Sequence, residues 1–203
     1  MKYALAFAAL LVLVSGTYAD DMIFALSYEP AVPTGDTRDF IEETSFRGFG
    51  IELRRFYNSF NPNLSFSLSW HVSSLSEDVP YAEAQSLVLA EGDNLIQERR
   101  LNASPILAHI DYHFNAPRDE PAWLPYIGCG VGAYWAKVKT RFGDDEPVED
   151  SNWHFGLAPE AGFMVPVSRD MLLMVAARYN HAFESEGTEQ QYWTLALGFG
   201  YAQ

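Results

Sequence analysis

Three things are scarce in this 203-residue chain. There is a single cysteine, Cys129, so no internal disulfide framework and no cysteine-built zinc cluster can form. Basic residues number 13 against 27 acids, a formal net charge of −14, which excludes nucleic acid as a partner because binding it needs Lys and Arg on the phosphates. Long apolar runs are also missing. The longest covers residues 3–14, and at 1.5 Å per residue its 12 positions fall well short of the ~30 Å hydrocarbon core that a membrane helix must cross. What is abundant is apolar and aromatic: 48% hydrophobic and 15% aromatic residues argue against a disordered acidic chain.

The one apolar run sits behind Lys2 and ends in Ser15, Gly16, Thr17, Tyr18 and Ala19, with small residues at the −3 and −1 places before Asp20. This is the layout of a cleaved secretory signal over residues 1–19, leaving 20–203 as one exported domain. No later stretch approaches 18 apolar residues. An exported protein without a membrane helix is either soluble or a β-barrel in an outer membrane.

Beyond residue 20 the dominant period is two. Leu64, Phe66, Leu68, Trp70 and Val72 alternate with Ser65, Ser67, Ser69 and His71. Only a strand separates such sets onto opposite faces. The pattern recurs over 22–28, 48–54, 106–114, 126–135, 153–165, 173–179 and 192–201, eight strands in all. One face is bulky and aromatic, while the other is mostly Gly, Ser and Ala with scattered charges. Small residues suit the crowded interior of a narrow barrel, and large apolar ones suit a lipid-facing exterior. Trp70, Tyr112, Trp135, Trp153, Tyr179, Trp193 and Tyr201 lie toward strand ends, where interfacial girdles belong. Connectors alternate long and short, with long ones at 29–43, 76–98 and 141–151 and short ones at 58–62, 116–121 and 168–170. The expected architecture is therefore all-β, an antiparallel up-and-down transmembrane β-barrel of eight strands with both termini periplasmic. An extra hairpin over 86–90 and 95–101 would make ten, and a helix over 81–90 is a third reading of that segment. Pro159, inside a strand, calls for a bulge. Lys137 and Lys139 fall on the outward parity, so either they stand above the lipid or the strand bulges after Trp135.

The stretches 125–133, 155–163 and 177–179 and the closing Leu197-Gly198-Phe199-Gly200-Tyr201 resemble the small Gram-negative outer-membrane β-barrels of the opacity-protein and OmpA-like kind. The resemblance covers most of the exported domain and implies fold and location rather than an activity.

Two residue sets are candidates for function. The lumen face carries Glu52, Arg54, His71, His109, Asp111, His113, Glu160 and Arg178, with His154 on the same parity. An eight-stranded lumen is just wide enough to be filled by side chains, and buried charges there must pair. A satisfied structural network is the favoured reading and a proton or ion path the alternative. His71 and Ser73 lie two apart on one face, as a hydroxyl nucleophile and its base would. Lipid A deacylases use such residues, yet no third group is identifiable. His109, Asp111 and His113 share a face at period two and could in principle ligate a metal, but a hydrogen-bond network is favoured. No metal or other cofactor is expected.

The second set is the loops. The three long connectors together with a medium one at 183–189 hold 19 of the 27 acids, opposed only by Arg38 and Arg141, so the acidity gathers at one end. The densest group is Asp144, Asp145, Glu146, Glu149 and Asp150. Such loops suit divalent cations at the lipopolysaccharide surface, or a basic partner. The expectation is a monomeric, non-enzymatic envelope or surface-interaction protein, in contact with outer-membrane lipid and lipopolysaccharide. The alternatives are a narrow conduit, a lipid A-modifying enzyme and a soluble lipocalin-like carrier.

Overall fold

The computed structural model describes residues 22–57, 61–80, 96–116, 123–142, 146–185 and 188–203. The expected signal segment, most of the 86–90 and 95–101 hairpin, the 81–90 helix, and Asp144 and Asp145 lie outside them. Nine strand segments follow in chain order: β1 (Met22–Tyr28), β2 (Ala31–Pro33), β3 (Gly48–Phe56), β4 (Leu64–Pro80), β5 (Ile96–His113), β6 (Leu124–Phe142), β7 (Val148–Pro166), β8 (Met171–Ser185) and β9 (Thr188–Ala202). One short helix, α1 (Gly35–Phe40), follows β2.

Every strand is antiparallel to its neighbours, and the ring closes where β1 pairs with β9. β1 and β2 are two parts of one stave. Both pair with β9 in the same register, Ile23 opposite Ala202 and Ala31 opposite Thr194, and they part only at Glu29-Pro30. Eight staves therefore make the wall. The ten-strand alternative fails among the described residues because 96–101 is the start of β5, zipped to β4 from Ile96 opposite Pro80 to Leu101 opposite Leu75.

Alternation dictates which way each side chain points. Phe24, Leu26, Phe49, Trp70, Ile106, Ile110, Ile127, Val131, Trp135, Trp153, Phe155, Leu157, Trp193, Leu195, Leu197 and Phe199 are all exposed on the outer face. Inward lie Ser65, Ser67, Ser69, Gly128, Gly130, Gly132, Gly198 and Gly200 with the charged residues between them. The inner glycines make room: a Cβ at Gly128 would strike the Asp111 carboxylate, and one at Gly130 the His109 ring.

The strands run further than apolar alternation indicates. β4 continues eight residues past Val72, β5 begins ten before Ile106, and β6 and β7 each span 19 residues. Above Trp70 and Trp135 the outward positions turn polar, so the hydrophobic signal stops while the hydrogen-bonded ladder does not.

The two interior prolines are accommodated without a slip. Across Pro159 the β7–β8 ladder skips two pairs and resumes in the same register, from Leu157 opposite His181 to Glu160 opposite Arg178. The expected bulge is absent there, because omitting two rungs already removes the need for the missing N–H. Across Pro105 the β4–β5 ladder also skips two pairs. The Ser104 hydroxyl fills this gap, donating to the His71 carbonyl (3.3 Å) and accepting from Trp70 Nε1 (2.8 Å). β6 pairs without interruption to both neighbours from Trp135 through Lys139, so no bulge turns Lys137 and Lys139 inward.

Candidate functional site

The lumen is stratified. At the end where Met22 pairs with Gln203, Ile23, Ala25, Phe56, Leu124, Tyr126, Met164, Leu172 and Met174 form an apolar floor. Toward the other end, Leu107, Tyr134, Ala158 and Ala182 close the section above the centre, beside Ala31, Ala103 and Tyr192. At the mouth, Leu75, Leu101 and Ala136 surround Ile41, which is fully buried. Ile41 belongs to the connector after α1, so this loop stoppers the barrel. Its docking is specific: the Gln191 N–H donates to Thr37 Oγ1 (2.8 Å), the Glu42 N–H to Glu77 Oε2 (2.8 Å), and Arg99 Nη1 to the Phe40 carbonyl (3.2 Å). Gly35, with φ +51°, makes the turn into α1, and a side chain there would also meet Gln191.

Between floor and stopper lies the charged layer. Arg54 Nε donates to Glu52 Oε1 (2.6 Å), while its Nη2 stands 3.5 Å from Asp111 Oδ2 and 3.7 Å from Glu160 Oε1. The guanidinium stacks over the Tyr126 ring, 4.4 Å from its centre, and the Tyr126 hydroxyl donates to Glu160 Oε1 (2.7 Å). On the opposite side of Glu160, Arg178 donates from Nε to Oε2 (2.6 Å). Arg178 Nη1 donates to His71 Nε2 (3.0 Å) and lies 3.5 Å from Glu29 Oε2. An arginine can only donate, so His71 Nε2 must be bare. The ring proton is then on Nδ1, which donates to Glu29 Oε1 (3.0 Å). The Ser27 hydroxyl is a second donor to the same oxygen (2.7 Å).

Sequence reasoning missed Glu29, grouping it with the acidic loops. Its side chain is 1% exposed, inside the barrel. The parity of Ile23, Ala25 and Ser27 carries on through it, which is the signal that could have found it. Also missed were two cross-strand serine partners. Ser65 Oγ meets His113 Nε2 at 2.8 Å, and Ser69 Oγ meets His109 Nε2 at 2.9 Å. His109 and His113 thus turn to serines four residues apart on β4, while Asp111 faces Arg54 and accepts a longer bond from Ser65 Oγ (3.4 Å). The three do not converge, and among the described residues no group of three or more His, Cys, Asp or Glu could hold a metal. Both His71 nitrogens are occupied by Glu29 and Arg178, leaving none to activate Ser73. The Ser–His pairs are no better placed for chemistry: His109 is 2% exposed and His113 is sealed between Phe56 and Tyr126. His154 stands apart, donating from Nδ1 to the Phe183 carbonyl (3.1 Å).

A cavity of about 20 Å³ in the charged layer is bordered by Glu29, Glu52, Tyr126, Glu160 and Arg178. That is room for one water molecule.

Of the acidic-loop set, Glu146 is exposed. Asp150 accepts from Asn152 (3.4 Å). Glu149 is held between Lys137 and Lys139, and their hydrogen bonds lower its carboxyl below the ordinary value.

No protein-family model and no curated protein matches the sequence. Solved structures do. The chain is similar to Ail, the attachment invasion locus protein of Yersinia pestis, in its complex with the heparin analogue sucrose octasulfate: TM-score 0.54 at 15% identity, covering 92% of this chain and 100% of that one. It is similar to Neisserial surface protein A, with TM-score 0.51 at 15% identity and 92% and 99% coverage. It also resembles the N-terminal β-barrel domain of Pseudomonas aeruginosa OprF, with TM-score 0.52 at 12% identity and 91% and 97% coverage. The fold is that of the small outer-membrane β-barrels, all-β and up-and-down.

Proposed function

We propose that residues 1–19 are an export signal and that 20–203 form a monomeric, non-enzymatic barrel of a bacterial outer membrane, with both termini periplasmic. It serves envelope structure or surface interaction. The observation that carries this reading is the inversion of the apolar surface. Leu26, Ile110, Ile127, Leu195, Leu197 and Phe199 are each more than half exposed on the outer wall, while Glu29, Arg54, Asp111, Glu160 and Arg178 are buried within. In water that arrangement leaves a belt of large apolar residues unburied, the kind of contiguous patch that marks a contact with lipid or another protein. In lipid it satisfies both sides of the wall.

The same inversion disfavours a lipocalin-like carrier, whose apolar face must line a cavity. The filled lumen disfavours a conduit, and the buried Ser–His pairs disfavour a lipid-modifying enzyme. The long connectors then face the exterior, where Glu146, Asp150 and their acidic neighbours form a surface for divalent cations or a basic partner.

Membrane fractionation tests the location: folded protein is expected in the outer-membrane pellet, and recovery in the soluble periplasm overturns the reading. Planar-bilayer recordings are expected to show no conductance above background. Lipid A mass spectra from cells with and without the protein are expected to be identical.

A further inference from the structure

Directly above the Trp135–Trp153 pair, which sit opposite each other on β6 and β7, the outer wall changes from apolar to basic. Lys137, Lys139 and Arg141 succeed Trp135 on one face of β6. Arg100 and Glu98 stand beside them on β5, opposite Lys139 and Arg141, and Glu149 of β7 faces Lys139. Four cations meet two carboxylates, and each carboxylate is already shared. Glu149 takes both Lys137 and Lys139. Glu98 takes Arg100 at 2.6 Å and Arg141 at 3.8 Å. Neither arginine is saturated: Arg100 Nε has no hydrogen-bond partner, and the Arg141 side chain is half exposed.

These side chains enclose an open cleft. Glu98, Arg100, Lys139, Arg141 and Pro147 border about 160 Å³. Among the described residues three cations and one carboxylate line it, so their charge favours an anion. Asp78, opposite Glu98 on β4, and Glu146, next to Pro147, are exposed and line no part of it.

The height of the cleft selects the anion. Lys139 is four residues beyond Trp135, about 13 Å along the strand at ~3.3 Å per residue, or roughly 10 Å along the axis of a barrel whose strands tilt by about 40°. If Trp135 and Trp153 mark the edge of the hydrocarbon, the cleft begins about 10 Å above it, just beyond the ~5–8 Å headgroup layer of an ordinary phospholipid and within reach of a larger, sugar-based head. Below, on the same strand faces, Ile106, Val131, Trp153 and Phe155 are exposed. One molecule could thus place an anionic head among the arginines and hydrocarbon chains along the wall.

We infer that this cleft holds the phosphate headgroup of an outer-leaflet glycolipid of the lipid A type, with Arg100, Lys139 and Arg141 as its ligands. The inference rests on the membrane reading proposed above. Lys137 remains paired to Glu149, and Glu98 orients the two arginines.

The test uses the refolded barrel in detergent and in lipid nanodiscs, titrated with bisphosphorylated lipid A, with its dephosphorylated form and with inorganic phosphate. Wild-type protein is expected to bind the phosphorylated lipid at least about tenfold more tightly than the dephosphorylated one. The triple variant Arg100→Gln, Lys139→Gln, Arg141→Gln should lose that preference, on the order of a hundredfold if each cation contributes as at an anionic membrane surface. Lys139→Arg should keep it. Equal binding of the two lipids by wild type, or undiminished preference in the triple variant, overturns the site. Displacement of the lipid by inorganic phosphate at equal concentration also overturns it, since the site would then read the phosphate alone. Insertion is scored separately by heat-modifiable mobility. A triple variant that inserts normally but has lost the preference supports the site, whereas failure of wild-type protein to insert condemns the membrane reading itself.

Discussion

The lower and upper halves of β6 and β7 share a ladder, a parity and a pair of neighbours, yet their outer faces are chemically opposite. Below the Trp135–Trp153 pair the outer face carries Ile127, Val131, Phe155 and Leu157, all exposed. Above it the same parity carries Lys137, Lys139, Arg141 and Glu149. The backbone does not register the change, because strand pairing satisfies the peptide groups equally in lipid and in water. What changes is the solvent the side chains meet. The inner face shows a second and independent layering: apolar floor, charged centre, apolar stopper. There the rule is to fill space and pair charge.

The comparison can be broken most forcefully from inside. Arg178→Met would leave Glu29 without a guanidinium and Glu160 with only the more distant one of Arg54. Removing one partner of a buried ion network costs about 3–5 kcal/mol, and urea unfolding of the refolded barrel should show a loss of that size. Next is a charge on the outer wall below the tryptophans. Val131→Arg is expected to cost about 2–4 kcal/mol if Val131 lies near the bilayer midplane, whereas Lys139→Leu, eight strand pairs higher up, should change unfolding stability by well under 1 kcal/mol, as expected for an exposed pair. Equal costs at the two sites would erase the distinction between the halves.

The stopper gives a smaller, local effect. Ile41→Ala empties the pocket among Leu75, Leu101 and Ala136. A buried Ile truncation costs about 2 kcal/mol or more, here charged to loop docking. Residues 34–47 should therefore become protease-sensitive while the barrel's heat-modifiable mobility stays unchanged. The smallest effect is at Glu149. Because Lys137 and Lys139 lower its pKa, its pairing stabilises above the ordinary carboxylate value and is lost as pH falls through the lowered one. Carbon-detected NMR should find it titrating below a free glutamate, and Lys137→Gln with Lys139→Gln should bring it back up.

Much of this was legible in the sequence. Period-two alternation located a segment of every stave, and the inner glycines and serines separated lumen from exterior. The upper strands were not legible. Ser74, Ser76 and Asp78 on β4 and Lys137 and Lys139 on β6 carry no apolar alternation, because above the lipid none is needed. For the same reason the basic patch was hidden: Arg99 and Arg100 adjoin an acidic connector in sequence, and only strand pairing brings Arg100 beside Lys139. Glu29 was misplaced because Pro30 breaks the stave just after it, which in sequence looks like the beginning of a loop. The Ser65–His113 and Ser69–His109 contacts depend on cross-strand register, which side-chain pattern within a single strand does not encode.

The central claim is that solvent changes from lipid to water along one uninterrupted outer face. Nitroxide labels at Val131→Cys and Lys139→Cys, each in a Cys129→Ser background and reconstituted in bilayers, test it most directly. The account predicts strong collisional relaxation by oxygen at position 131 and by a water-soluble nickel chelate at position 139. Chelate accessibility that is high at both positions would contradict it.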